Sequence, residues 1–223
     1  MSTLPTSTEV TGEQRPFLPG MGHRWLLPLY DPLTRLVGVS RVHRRLLEQA
    51  ALQPGQRVLE IGCGTGNLLL GAKRREPGVA AVGLDPDLDA LARAARKARR
   101  AGLPVQLDRG HADALPYPDG SVDVVLSSFM LHHLPAGEQE AAMPEVVRVL
   151  RPGGSLHLLD ADAPDAAEHG HGHAHGHRRS PIHDSAVADV PALLRAAGFV
   201  DVATTWSDER RPFGRFSAYR ATR

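Results

Sequence analysis

Apolar positions along this chain keep two rhythms in alternation. Short continuous apolar runs at 58–61, 79–85, 122–127 and 155–159 have the length of strands buried on both faces, with a shorter one at 105–107. Between them the period lengthens to that of helices. Residues 41–52 form an amphipathic stretch ended by Pro54 and Gly55, 67–75 follows the first run, and 87–101 is rich in Ala and Arg and closed by Gly102. Two more helices are predicted over 138–150 and over 187–197, the latter closed by Gly198. The turn at Pro152-Gly-Gly154 introduces the fifth strand, and 200–206 and 215–221 read as two last strands. Strands that alternate with helices predict a doubly wound α/β fold, a parallel sheet with helices on both faces.

The first strand runs directly into VLEIGCGTG at 58–66, where Gly62, Gly64 and Gly66 stand two apart at a helix start. Glycine there lets the backbone turn through positive φ and lets a ligand come where a Cβ would collide. The second strand ends in Asp85, 19 positions after Gly66, the placement of an acid that takes both hydroxyls of a ribose. A nucleoside-bearing ligand is implied. A dinucleotide loop would space its glycines Gly-x-Gly-x-x-Gly and seat a diphosphate on the helix N-terminus. Here the third glycine comes one residue early, and Glu60 just before the loop would repel phosphate. A nicotinamide-dependent oxidoreductase is further disfavoured because Lys73 and Lys97 are the only lysines and neither belongs to a Tyr-x-x-x-Lys pair.

The 223 residues, 42% of them hydrophobic, suffice for one large core. With 26 basic and 25 acidic residues the net charge is +1, so nothing steers the chain toward nucleic acid or anionic lipid. Cys63 is the only cysteine, which excludes an intramolecular disulfide and suits a reducing compartment. It reads as a small buried filler rather than a catalytic thiol, since no base accompanies it. No apolar run approaches a membrane span, and residues 1–9 show no basic patch followed by a hydrophobic stretch, so a cytoplasmic location is expected.

Four motifs in order, VLEIGCGTG at 58–66, VGLDP at 82–86, LPYPDGSVDVV at 115–125 and RVLRPGG at 148–154, resemble the class I S-adenosylmethionine-dependent methyltransferases. The likeness is to the branch that includes ubiquinone and menaquinone biosynthesis enzymes. It implies a Rossmann-like, seven-stranded mixed sheet whose last strand is antiparallel, and methyl transfer from S-adenosylmethionine to a small-molecule acceptor. It places Gly62, Gly64 and Gly66 along the methionine part and ribose, Glu60 near the cationic end, and Asp85 and Pro86 at the ribose. Asp85 also reads as a cap for the next helix, a role that Asp87 suits better. The adenine contact falls on GHAD at 110–113, where His111 stands in place of the family's usual Asp, with Ala112 and Asp113 beside it. A neutral imidazole accepts that bond as one tautomer only; the alternative is a surface loop histidine. Ser127 completes the predicted cofactor contacts.

The sulfonium methyl is already activated, so placing the acceptor governs the rate and a base matters only for a hydroxyl or carbon acid. Candidates are His132 and His133, in SSFMLHH at 127–133 at the C-terminal lip of the fourth strand, where they serve as base or merely order the loop. Tyr30 and Asp31 also qualify, in WLLPLYD at 25–31. The resemblance places residues 21–53 as a lid after a flexible tail over 1–20, with the methyltransferase domain over 54–223; core packing by Trp25 and Leu27 is the other reading. An insertion at about 161–185 carries His169, His171, His173, His175 and His177, joined to Asp160, Asp162, Asp165, His183 and Asp184. Imidazoles at this density chelate Zn, Ni or Cu, and three readings stand: a metal-regulated lid, a metal or acceptor site, and a solvated insertion. A non-catalytic regulator that binds S-adenosylmethionine and metal is the remaining alternative function. Low aromatic content, 4%, and neutral balance suggest a small or hydrophobic acceptor; oligomeric state is not legible.

Overall fold

The computed structural model describes residues 39–162, 189–210 and 214–223. In chain order these form α1 Val39–Ala50, β1 Arg57–Ile61, α2 Asn67–Arg75, β2 Ala80–Asp85, α3 Leu88–Ala101, β3 Gln106–Arg109, β4 Val122–Ser128, a 3-10 turn Leu131–His133, α4 Ala136–Val149, β5 Leu150–Ala161, α5 Val190–Ala196, β6 Val200–Arg210 and β7 Gly214–Thr222. The seven strands make one sheet in the order β3-β2-β1-β4-β5-β7-β6. The β1/β2, β1/β4, β2/β3 and β4/β5 pairs are parallel, and β7 runs antiparallel between β5 and β6. The strand order therefore reverses between β1 and β4, and a doubly wound sheet binds its ligands at the carboxyl ends of the strands there.

Alternation along the central strands feeds two cores. Val58 and Val124 join Leu46 and Leu47 of α1 and Leu68 and Leu69 of α2 on one face. Leu59, Ile61 and Val125 join Met143 and Val146 of α4 and Leu194 of α5 on the other. Both faces being covered explains why apolar side chains occupy both sets of alternating positions in β1 and β4, interrupted by Glu60 and Asp123.

Helix ends follow local chemistry. The Asp87 side chain accepts from the amides of Asp89 and Ala90, and Gly102 closes α3 in the left-handed region at φ 63°. Asp189 caps α5 by accepting from Ala192, which moves that helix start from the expected 187 to 190. β5 begins at Leu150 rather than 155, because Leu150 already pairs with Val122; the turn at 152–154 becomes a register shift between Val122 and Val124 within the β4/β5 ladder.

Candidate active site

The three loop glycines share positive φ, 69° at Gly62, 49° at Gly64 and 77° at Gly66, but their surroundings differ. A β-carbon on Gly62 would lie 2.3 Å from Met130 Cγ, and one on Gly66 3.0 Å from Ala94 Cβ. At Gly64 nothing lies within 4 Å. Packing against the β4 lip and α3 thus dictates glycine at the outer two positions, and Gly64 is the one that presents an open face to a ligand.

Asp85, at the end of β2, reaches back over this loop. Its Oδ2 accepts from the Gly64 amide at 2.7 Å and its Oδ1 from the Asp87 amide at 2.9 Å. Each carboxylate oxygen keeps a further lone pair. Burial pushes the Asp85 carboxyl above its usual range. Glu60, one strand over, is 3% exposed. It accepts from the Leu69 amide in the first turn of α2, so β1 supplies the side-chain cap that Gly66 lacks. Its Oε2 has no hydrogen-bond partner among the described residues. Burial, and Asp85 nearby, raise the Glu60 carboxyl well above the ordinary range.

Across the β2/β3 edge, a β-carbon on Gly110 would strike Leu84 Cδ1 at 2.7 Å, so glycine lets the 110–113 loop close on β2. That closure brings half-buried His111 within electrostatic reach of Asp85, next to buried Ala112, half-buried Asp113 and half-buried Pro86. Glu60, Gly64, Asp85, Pro86 and His111 are thereby gathered at one end of the sheet. The donor set suits a cationic nucleoside: two buried acids, one with an oxygen free for a cation, and a glycine face where a ligand backbone or sugar can lie. Neither lysine offers a phosphate site. Lys73 Nζ is spent on the carbonyls of Pro77 and Val79, and Lys97 Nζ is bonded to Asn67 Oδ1 and Thr65 Oγ1.

At the β4 lip, Ser127 is buried and its Oγ has no partner among the described residues. Ser128 Oγ meets His43 Nε2 of α1 at 3.0 Å. Phe129 then takes φ 53°, a strained conformation for a bulky residue and one that clusters at functional sites. The predicted histidine pair divides here. His132 is buried and its Nδ1 is hydrogen-bonded to Asp160 Oδ1 on β5. His133, half-buried with its ring 4.0 Å from that of His132, is pushed down to about 4 by burial and stays neutral. Asp160 also accepts from the amides of Leu131 at 2.7 Å and Ala161 at 2.8 Å. Sequence reasoning grouped Asp160 and Asp162 with the histidine run. Instead Asp160 holds His132, and Asp162 binds Ser217 Oγ at 3.0 Å and Arg215 Nε at 3.2 Å.

The order of glycine loop, acid-ended β2 and polar β4 lip has counterparts. A methyltransferase domain model matches residues 58–154. The demethylmenaquinone methyltransferase of Thermus thermophilus is 38% identical over 148 residues, covering 65% of this chain and 66% of that protein. Residues 58–154 form a methyltransferase domain. The chain spans just under two thirds of the length of that relative. Its fold is also that of a SAM-dependent methyltransferase from Aquifex aeolicus, at TM-score 0.63 and 20% identity over 86% of this chain and 97% of that one. The cyclase SpnF superposes at TM-score 0.68 and 23% identity, over 82% of this chain and 80% of that one. The fold is therefore shared with proteins named for different reactions.

Several predicted features of the chain lie outside the described residues: the tail at 1–20, the lid portion 21–38 with Trp25, Leu27, Tyr30 and Asp31, and His169, His171, His173, His175 and His177 with Asp165, His183 and Asp184. Among the described residues no group of three or more His, Cys, Asp or Glu could hold a metal ion, and no helix is long and apolar enough to cross a membrane.

Proposed function

We propose that the protein transfers the methyl group of S-adenosylmethionine to a small, hydrophobic acceptor and releases S-adenosylhomocysteine. The observation that carries this reading is the Asp85 to Gly64 hydrogen bond beside the buried, half-partnered Glu60. It couples the ribose-binding acid to the open glycine and leaves a carboxylate oxygen for the ligand's positive charge. When bound, the cofactor supplies a methyl group bonded to a cationic sulfur. The chain's residues hold it by Glu60, Gly64, Asp85, Pro86, the 110–113 loop and Ser127. A relative named for demethylmenaquinone makes a quinone-like or quinol-like ring the first acceptor class to examine. The lone, buried Cys63 accords with a reducing cytoplasmic setting.

The test is direct. Purified protein is incubated with methyl-labelled S-adenosylmethionine and a cell extract, and the compound that gains label is identified. Binding of the cofactor with transfer to a small molecule supports the proposal. Binding of nicotinamide cofactor in its place, or no heat with S-adenosylmethionine, ends it. A divalent metal at His169 to His177 is a separate proposal, resting on the density of imidazoles alone. Deleting residues 169–177 should then change activity or its response to chelator; no change in either removes the metal from the function.

A further inference from the structure

We propose that Asp160 is a positioning residue that fixes His132 as a proton acceptor through its Nε2, and that the methyl acceptor is therefore a hydroxyl or an acidic C–H group rather than an amine or a thiolate. This rests on the methyl-transfer reading above and adds the acceptor chemistry.

The geometry has three parts. Asp160 is 1% exposed and His132 4%, so their pairing is shielded from water. Asp160 Oδ2 takes the Leu131 amide and Oδ1 takes the Ala161 amide as well as His132 Nδ1. An ionised carboxylate accepts all three donors, which requires the proton of a neutral His132 to sit on Nδ1 and leaves Nε2 as the basic nitrogen. A base oriented by a third group is the arrangement that proton-abstracting sites use. Finally, the segment is anchored to the cofactor loop: Met130, two residues before His132, occupies the space that a side chain on Gly62 would need.

The other groups around His132 do not compete for its proton. His133, from the same turn, is held neutral by burial. Phe129 packs T-shaped against His132, 6.5 Å between ring centroids. From α4 the packed group is the uncharged Gln139 amide, which donates to the carbonyls of Leu131 and Leu134. Amine and thiolate nucleophiles attack without such a base, whereas a hydroxyl or carbon acid needs one.

The step balances. The acceptor's O–H or C–H bond breaks and its proton passes to His132 Nε2. The freed electron pair forms the new bond to the methyl carbon as the carbon–sulfur bond breaks, its electrons remaining on sulfur. The imidazolium then returns the proton to solvent.

Nitrogen NMR of the His132 ring reads the tautomer without any ligand. The wild-type protein should carry its proton on Nδ1. In Asp160→Asn the amide NH2 facing the ring should move the proton to Nε2, and label transfer in the extract assay should fall by roughly 10²-fold or more at neutral pH. It should recover as pH rises and the acceptor ionises unaided, with S-adenosylmethionine affinity unchanged by calorimetry. The label should lie on oxygen or carbon of the product. An Nε2 proton in the wild type, an unaltered rate or pH profile in Asp160→Asn, or label on nitrogen or sulfur overturns the inference. Should Asp160→Asn fail to fold, the wild-type tautomer and the rate of His132→Gln decide it. Loss of cofactor binding in the wild type would instead sink the methyl-transfer reading, whatever the tautomer.

Discussion

The Cys63 sulfur occupies the space beside Gly83 so fully that a β-carbon there would come within 2.8 Å of it. Leu69 Cδ2 closes the other side at the same 2.8 Å. The glycine in the middle of β2 is thus the counterpart of the glycine loop, making room for the Cys63 side chain, and Cys63 is a packing residue. Gly83→Ala should overpack this joint and cost about 1–3 kcal/mol, read as a lower midpoint of chemical denaturation with unchanged slope. Cys63 should resist thiol reagents in the native state, because burial and the neighbouring carboxyls push its pKa well up. Rapid labelling of the folded protein would contradict the packing described.

Cofactor binding should release protons. Burial and Asp85 favour the protonated form of Glu60, whereas a cation beside its unpartnered Oε2 favours the ionised form. Affinity for S-adenosylmethionine should therefore climb with pH until it passes the raised Glu60 pKa, then level. Calorimetry in buffers of differing ionisation heat measures the protons released, and Glu60→Gln should reduce that number. Equal proton release in both proteins would remove Glu60 from the linkage.

His111 should contribute to the same binding. The closure of the 110–113 loop on Leu84 puts it beside Asp85, where its imidazole is proposed as an acceptor for the adenine amino group. His111→Ala should weaken S-adenosylmethionine binding by about 1 kcal/mol, or roughly fivefold. An unchanged dissociation constant takes His111 out of the pocket.

Acid should weaken the fold through His157. Trp206 Nε1, a donor only, bonds to Gln49 Oε1, which orients the Gln49 amide so that its Nε2 donates to His157 Nδ1. His157 is 1% exposed, and burial, with the Arg220 charge nearby, lowers it to about 4 and keeps it neutral. In the unfolded chain it takes a proton near its ordinary pKa of about 6.5, so the stability is whole above that value and drains away as pH falls toward 4. Full loss amounts to about 3 kcal/mol for this one group. Denaturation midpoints from pH 7 down to pH 4 should fall more steeply in the wild type than in His157→Gln; parallel curves would show that His157 is not the sensor.

The site was legible wherever its chemistry is local. Glycine at 62, 64 and 66 announces positive φ, Asp85 announces a strand-end acid, and Asp87 announces a cap. The partners were not legible. Asp85 reaches the Gly64 amide across 21 positions, and Asp160 reaches His132 across 28. Nothing in the spacing of Asp160 distinguishes it from Asp162, which faces β7 instead. Glu60 was read for its charge toward the ligand, and its cap on α2 escaped notice because a cap supplied from another element leaves no local motif.

What the amino-acid order decides alone is the alternation of strands and helices, where each helix stops, and which backbone positions tolerate only glycine. These follow from hydrophobic period, caps and φ, which act over a few residues. The fold decides that β4 lies beside β1, that β7 slips between β5 and β6, and hence that a histidine after one strand meets an aspartate at the end of the next. Such encounters depend on which strands share a ladder, and that is settled by burying both faces of the whole sheet at once.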